Sequence, residues 1–137
     1  MFEFLRQMID TPEGKAIYIL TLIFVVMMVD FLTGSLAAWM NPKVNFNSNA
    51  GINGLLRKFT SILVLFLCIP ISILMPSEIG MIALYVLYLG YLLMEVKSIF
   101  ENMEKLGIDV SPLTGFIRKL EEELKKDDAN GKSSSRK

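Results

Sequence analysis

The sequence predicts an all-α integral membrane protein: three transmembrane helices, a short amino-terminal interfacial helix and a carboxyl-terminal amphipathic helix. Three observations carry that expectation. Hydrophobic residues are 53% of the 137 and are gathered into three long runs. The runs are apolar on every side, whereas a helix at the surface of a soluble core keeps a polar stripe toward water. Basic residues are distributed unevenly among the segments between the runs.

The first element is "FEFLRQMID", in which Phe2, Leu5, Met8 and Ile9 share one helical face. That pattern reads as a short helix lying in the membrane interface. Thr11-Pro12 then supplies an N-cap and a first-turn proline for the first span, about residues 16–40, which Asn41-Pro42 stops. The second span covers about 59–75 and contains Pro70, which kinks a helix or lets a short span thin the bilayer locally. The third covers about 79–100, with Ser77 as its expected cap. Crossing the hydrocarbon takes roughly 20 residues. Only Pro76 to Glu78 separates the second span from the third, so those two form an antiparallel hairpin.

Residues 1–110 thus form a membrane domain. Residues 111–126, "SPLTGFIRKLEEELKK", repeat apolar side chains at Leu113, Phe116, Ile117, Leu120 and Leu124. This is an amphipathic cytoplasmic helix, capped by Ser111 and lying on the membrane or against a second copy. Residues 127–137 are small and polar and are expected to be disordered.

Charge sets the expected orientation. The loop between the first two spans carries Lys43, Arg57 and Lys58, and the region beyond Glu95 carries nine more basic residues. The segment before the first span carries two. The positive-inside rule then places the amino terminus outside and the carboxyl terminus in the cytoplasm of a bacterial cell, as a multi-pass protein.

The same counts exclude other classes. With 14 basic and 14 acidic side chains, nucleic acid is not an expected partner. There is no histidine, and Cys68 is the single cysteine, so a disulfide framework and a zinc site are not expected. Cys68 reads as inert packing. No basic segment precedes a short apolar core at Met1–Ile9, so no cleavable signal peptide is expected. No catalytic constellation, metal site or cofactor motif appears, and an enzyme is not expected.

Three segments are candidates for function. Asp30 interrupts the first span, where a carboxylate costs roughly 2.5–3.5 kcal/mol on insertion scales. It shares a helical stripe with Thr33, Gly34, Ala37 and Ala38, small residues that let another helix approach. Either Asp30 is a packed interhelical contact or it lines water after assembly, and both readings call for self-association. In the third span, Met81, Leu84, Tyr88, Tyr91, Glu95, Ser98 and Asn102 alternate in steps of three and four, a seam that stays in register with a partner helix. The tyrosines also suit interfacial anchoring. The loop "NFNSNAGINGLLRK" carries Ser48, Gly51, Gly54, Arg57 and Lys58. Ser48 or Asn49 begins a helix running into the second span. Arg57 and Lys58 are placed at the anionic inner leaflet as a topological anchor.

Taken in order, these segments resemble a known family. Asp30-Phe31-Leu32-Thr33-Gly34, the S-x-x-G-x-x-G-x-x-R-K pattern from Ser48 to Lys58, and "EVKSIFENMEKLGIDVSP" with Glu95, Ser98, Glu101, Asn102, Leu106, Gly107 and Pro112 are similar to the phage-lysis and toxin-secretion holins of Gram-positive phages and clostridia. The resemblance spans about Val29 to Leu124. One departure is Asp109, an acid where the family has an apolar residue. The resemblance implies a non-enzymatic pore former. It oligomerises in the cytoplasmic membrane and lets an endolysin, or in toxin-linked members a toxin, cross. A structural membrane scaffold without a pore and an ion-channel subunit are the alternatives.

Overall fold

The computed structural model describes residues 1–43, 47–76 and 78–134, the side chains of 128 and 130–134 excepted. Five helices follow one another: α1 (Phe2–Ile9), α2 (Pro12–Met40), α3 (Ser48–Leu74), α4 (Ile79–Lys105) and α5 (Ser111–Ser134). Helices α2, α3 and α4 are each long and apolar enough to cross a membrane. The protein is therefore an all-α membrane protein with three spans.

Local chemistry sets most helix ends. Thr11 Oγ1 accepts the Gly14 N–H at 3.1 Å, and Pro12 opens α2 where its missing N–H costs nothing. The Asn47 side chain accepts from the Asn49 N–H at 3.0 Å and caps α3. That helix starts well before the expected residue 59, because the Gly-containing stretch Ser48–Gly54 continues without a break into the apolar run. It also passes through Pro70 to Leu74. Glu78 precedes α4 without a side-chain cap, and Ser77, the expected cap, lies outside the described residues.

At its far end α4 runs to Lys105 and closes in a Schellman motif. Ile108 N–H returns to the Met103 carbonyl at 3.0 Å and Gly107 N–H to Glu104 at 2.9 Å. Gly107 sits at φ +83°, which glycine adopts without a Cβ penalty.

The start of α5 corrects the expected cap. Ser111 lies inside the first turn, and the Asp109 carboxylate takes its backbone N–H at 3.0 Å and its hydroxyl at 2.6 Å. Those two bonds hold the Asp109 carboxyl below its ordinary value. The acid that departs from the family pattern is thus a helix-initiating group.

Two further expectations for the carboxyl-terminal segment change. Residues 127–134 are helical, because no proline follows Lys126 to stop the turn; residues 135–137 lie outside the described set. And α5 packs against α4 of its own chain. The Gly107 turn reverses the chain, and Val110 and Ile117 give α5 its buried apolar contacts, at 1% and 8% exposure.

Helix α4 is the centre of the bundle, packing along α2 and against α3. Its neighbour α2 runs parallel to it: Tyr85 donates its hydroxyl to the Pro12 carbonyl at 2.8 Å near one end, and Asn102 meets Asp30 toward the other. One core cluster joins the three spans through Ala16, Leu20, Ile23, Met27, Leu65, Leu84 and Tyr88. Helix α1 folds onto α2 and leaves Phe2 and Phe4 exposed.

The hairpin between α3 and α4 is tight enough to demand glycine. A Cβ on Gly80 would stand 2.0 Å from the Ser72 carbonyl oxygen, a backbone atom with no freedom to move aside. At Gly115, by contrast, a Cβ meets open space. Gly80→Ala should therefore lower the thermal midpoint of the purified protein in micelles. Gly115→Ala should raise it slightly, by the roughly 1 kcal/mol of helix propensity that separates alanine from glycine. Equal midpoints for the two variants would contradict the close approach at Gly80.

A buried charge cluster at one end of the bundle

Lys58 (α3) and Glu95 (α4) each lie 16 residues from the end of the hairpin, at Leu74 and Ile79 respectively. At 1.5 Å per residue both are about 24 Å from the turn. In a hydrocarbon layer about 30 Å thick they sit in the third nearest the α2–α3 loop. Asp30, on α2, reaches the same level because α2 and α4 run in parallel register.

The Lys58 ammonium lies between the two carboxylates, 2.8 Å from Asp30 Oδ2 and 2.5 Å from Glu95 Oε2. Asp30 and Glu95 are 7% and 9% exposed. Asn102 completes the cluster. Its carboxamide nitrogen donates to Asp30 Oδ1 at 2.9 Å, to the Asp30 carbonyl at 3.2 Å and to Thr33 Oγ1 at 3.2 Å. Both oxygens of Asp30 are therefore partnered. Among the described residues, no buried side-chain nitrogen or oxygen lacks a hydrogen-bond partner.

This arrangement corrects two expectations. Asp30 does not need a second subunit for a partner, because α3 delivers an ammonium group from within the same chain. Nor does Lys58 point to the inner leaflet. It turns inward, with its side chain 19% exposed, while its neighbour Arg57 stays exposed. The physical reason is reach. A lysine one helical turn into an apolar run has a flexible four-carbon stem, and two desolvated carboxylates attract it more than headgroups a turn away.

Other anticipated residues take distinct places. Gly34 faces Asn102; an added Cβ would lie 3.3 Å from its carboxamide nitrogen. Gly34, Ser35, Ala38, Gly51, Gly54 and Ser98 line an open cleft of about 310 Å³ that reaches the cluster. The loop motif and the first-span motif thus meet in space. Tyr88 belongs to the core, with 0% exposure and its hydroxyl donated to the Leu65 carbonyl at 2.5 Å. Tyr91 packs at the edge of that core. Ser48 and Arg57 are exposed and stand outside the cluster. Among the described residues, no three His, Cys, Asp or Glu side chains are grouped to hold a metal.

Comparison with known proteins gives one consistent result. The bacteriophage holin family matches residues 7–126. The chain is 31% identical over 132 residues to the antiholin of Bacillus phage phi29, covering 96% of each chain. It is 30% identical over 132 residues to the antiholin of Bacillus phage PZA, again covering 96% of each. The antiholin of Bacillus phage B103 is 32% identical over 103 residues, 75% of this chain and 76% of that one. No solved structure matches.

Removing one partner of a buried ion pair costs about 3–5 kcal/mol, and the cleft wets this one, so a loss of about 2–3 kcal/mol is expected for Lys58→Met. That variant leaves two carboxylates facing each other. Adding Asp30→Leu should recover part of the loss, since one unpaired charge leaves with it. Thermal unfolding in micelles measures both; additive effects in the double variant would mean that Lys58 and Asp30 do not interact.

Proposed function

The chain belongs to the bacteriophage holin family, and on that premise we propose that it oligomerises in the bacterial cytoplasmic membrane and permeabilises it. The lesion lets a muralytic enzyme made in the cytoplasm reach the cell wall. What carries this reading is the family match across all three spans and the amphipathic helix. The relatives are phage proteins, which favours an endolysin over a toxin as the cargo.

The bundle supports self-association. Only Leu65 and Ser72 are buried along the 27 residues of α3, so one copy leaves nearly all of that helix to lipid or to other copies. The small-residue cleft beside it admits close helix approach. The charge cluster acts within the subunit: it neutralises the span acids so that a single chain accumulates in lipid before assembly. The loop-side end, with most basic residues, faces the anionic inner leaflet.

The names of the relatives favour a second reading, in which the chain restrains a pore former and does not itself open the membrane. The two separate in one experiment. The chain is induced in a bacterium that makes a cytoplasmic endolysin, and membrane potential and lysis onset are followed. Abrupt depolarisation and lysis are expected. If the chain alone is silent but delays lysis by a co-induced chain starting at Met8, the pore-forming reading fails and the restraining one holds.

Orientation is tested separately in a Cys68→Ala background. Before onset, Phe4→Cys should react with an impermeant thiol reagent in intact cells, and Lys43→Cys only after permeabilisation. The reverse pattern would invert the proposed topology.

A further inference from the structure

A lumen that passes a folded enzyme must be lined by groups that water solvates. The exposed faces of the spans do not supply them. On α2 the exposed side chains at depth are Phe24, Val25, Val29 and Leu32, and on α3 they include Leu63, Val64, Phe66 and Leu67. The carboxylates of Asp30 and Glu95 are turned inward onto Lys58.

Helix α5 does supply them. It runs back along α4 until Glu121, Leu124 and Lys125 share a cleft with Val86, Gly90 and Leu93. Gly90 is 11 residues into α4, about 17 Å from the hairpin end and close to the middle of a 30 Å hydrocarbon layer. Ile117 is buried and Leu124 half-buried, while Arg118, Lys119, Glu122, Glu123 and Lys126 are exposed. Hydrocarbon does not accept such a face. The seat of α5 on α4 therefore requires water on the outer side of α5, at membrane depth. A lone subunit in lipid has none, whereas a ring of subunits with α5 inward does.

We infer that α5 lines the water-filled lumen of the assembled protein, held on α4 by Ile117 and Leu124, with its charged side toward the lumen. The inference rests on the pore-forming reading above and adds which helix forms the wall. The competing position for α5 is flat on the inner leaflet, away from α4.

The test uses the full chain with Cys68→Ala, Gly90→Cys and Leu124→Cys, reconstituted in phosphatidylethanolamine–phosphatidylglycerol vesicles with trapped dye. A short bis-maleimide should join the two cysteines, and the joined protein should release dye as fully as the unjoined one. In planar bilayers at low salt, Glu122→Lys should shift the reversal potential toward anion preference. Failure to join, loss of release on joining, or an unmoved reversal potential would each overturn the inference while leaving pore formation intact. A Cys68→Ala parent that releases no dye overturns the pore-forming reading itself, and the inference falls with it.

Discussion

One lysine between two carboxylates organises this bundle. Each span brings one member to the same depth: Asp30 from α2, Lys58 from α3 and Glu95 from α4. Any of the three alone in hydrocarbon is costly. Together they form short charge-assisted contacts, and Asn102 takes up the remaining oxygen of Asp30. The cluster need not be a large net source of stability, because desolvation offsets much of the attraction. Its effect is on register: sliding any one helix by a turn strands a charge in lipid.

The rest of the packing agrees with that register. From the cluster toward the hairpin, Met27, Tyr88 and Leu65 fill the core, and the Tyr88 hydroxyl finds the Leu65 carbonyl. At the hairpin itself Gly80 lets α4 meet the Ser72 backbone. Tyr85 fastens the start of α2 through the Pro12 carbonyl. The bundle is therefore pinned at both ends by polar contacts and filled between them by apolar ones. Helix α3 contributes the fewest buried side chains, which leaves it the span with most surface for lipid or neighbouring copies.

The cluster also changes what Asp30 means for assembly. An unpartnered acid would drive association by seeking a partner on another chain. Here the acid is satisfied internally, and association falls to the small-residue cleft and to the exposed faces of α3 and α5. The glycines of the loop motif, Gly51 and Gly54, have open space where a Cβ would stand. They are spacers along a cleft and not sites of strain.

The sequence by itself determined the three spans, the hairpin and the Thr11-Pro12 start of α2, because apolar runs, prolines and caps act locally. It also marked Asp30, Gly34, Glu95 and Asn102 as unusual for their surroundings. It did not reveal that Lys58 belongs with them, since a lysine at the edge of an apolar run reads as a headgroup anchor. Counting residues from the hairpin was the available signal: Lys58 and Glu95 are equidistant from it. Tertiary structure decided the partners of the buried charges, the core position of Tyr88 and the seat of α5 on α4. Each depends on which helices are neighbours and in what register, and helical periodicity fixes the face of a helix without fixing what that face meets.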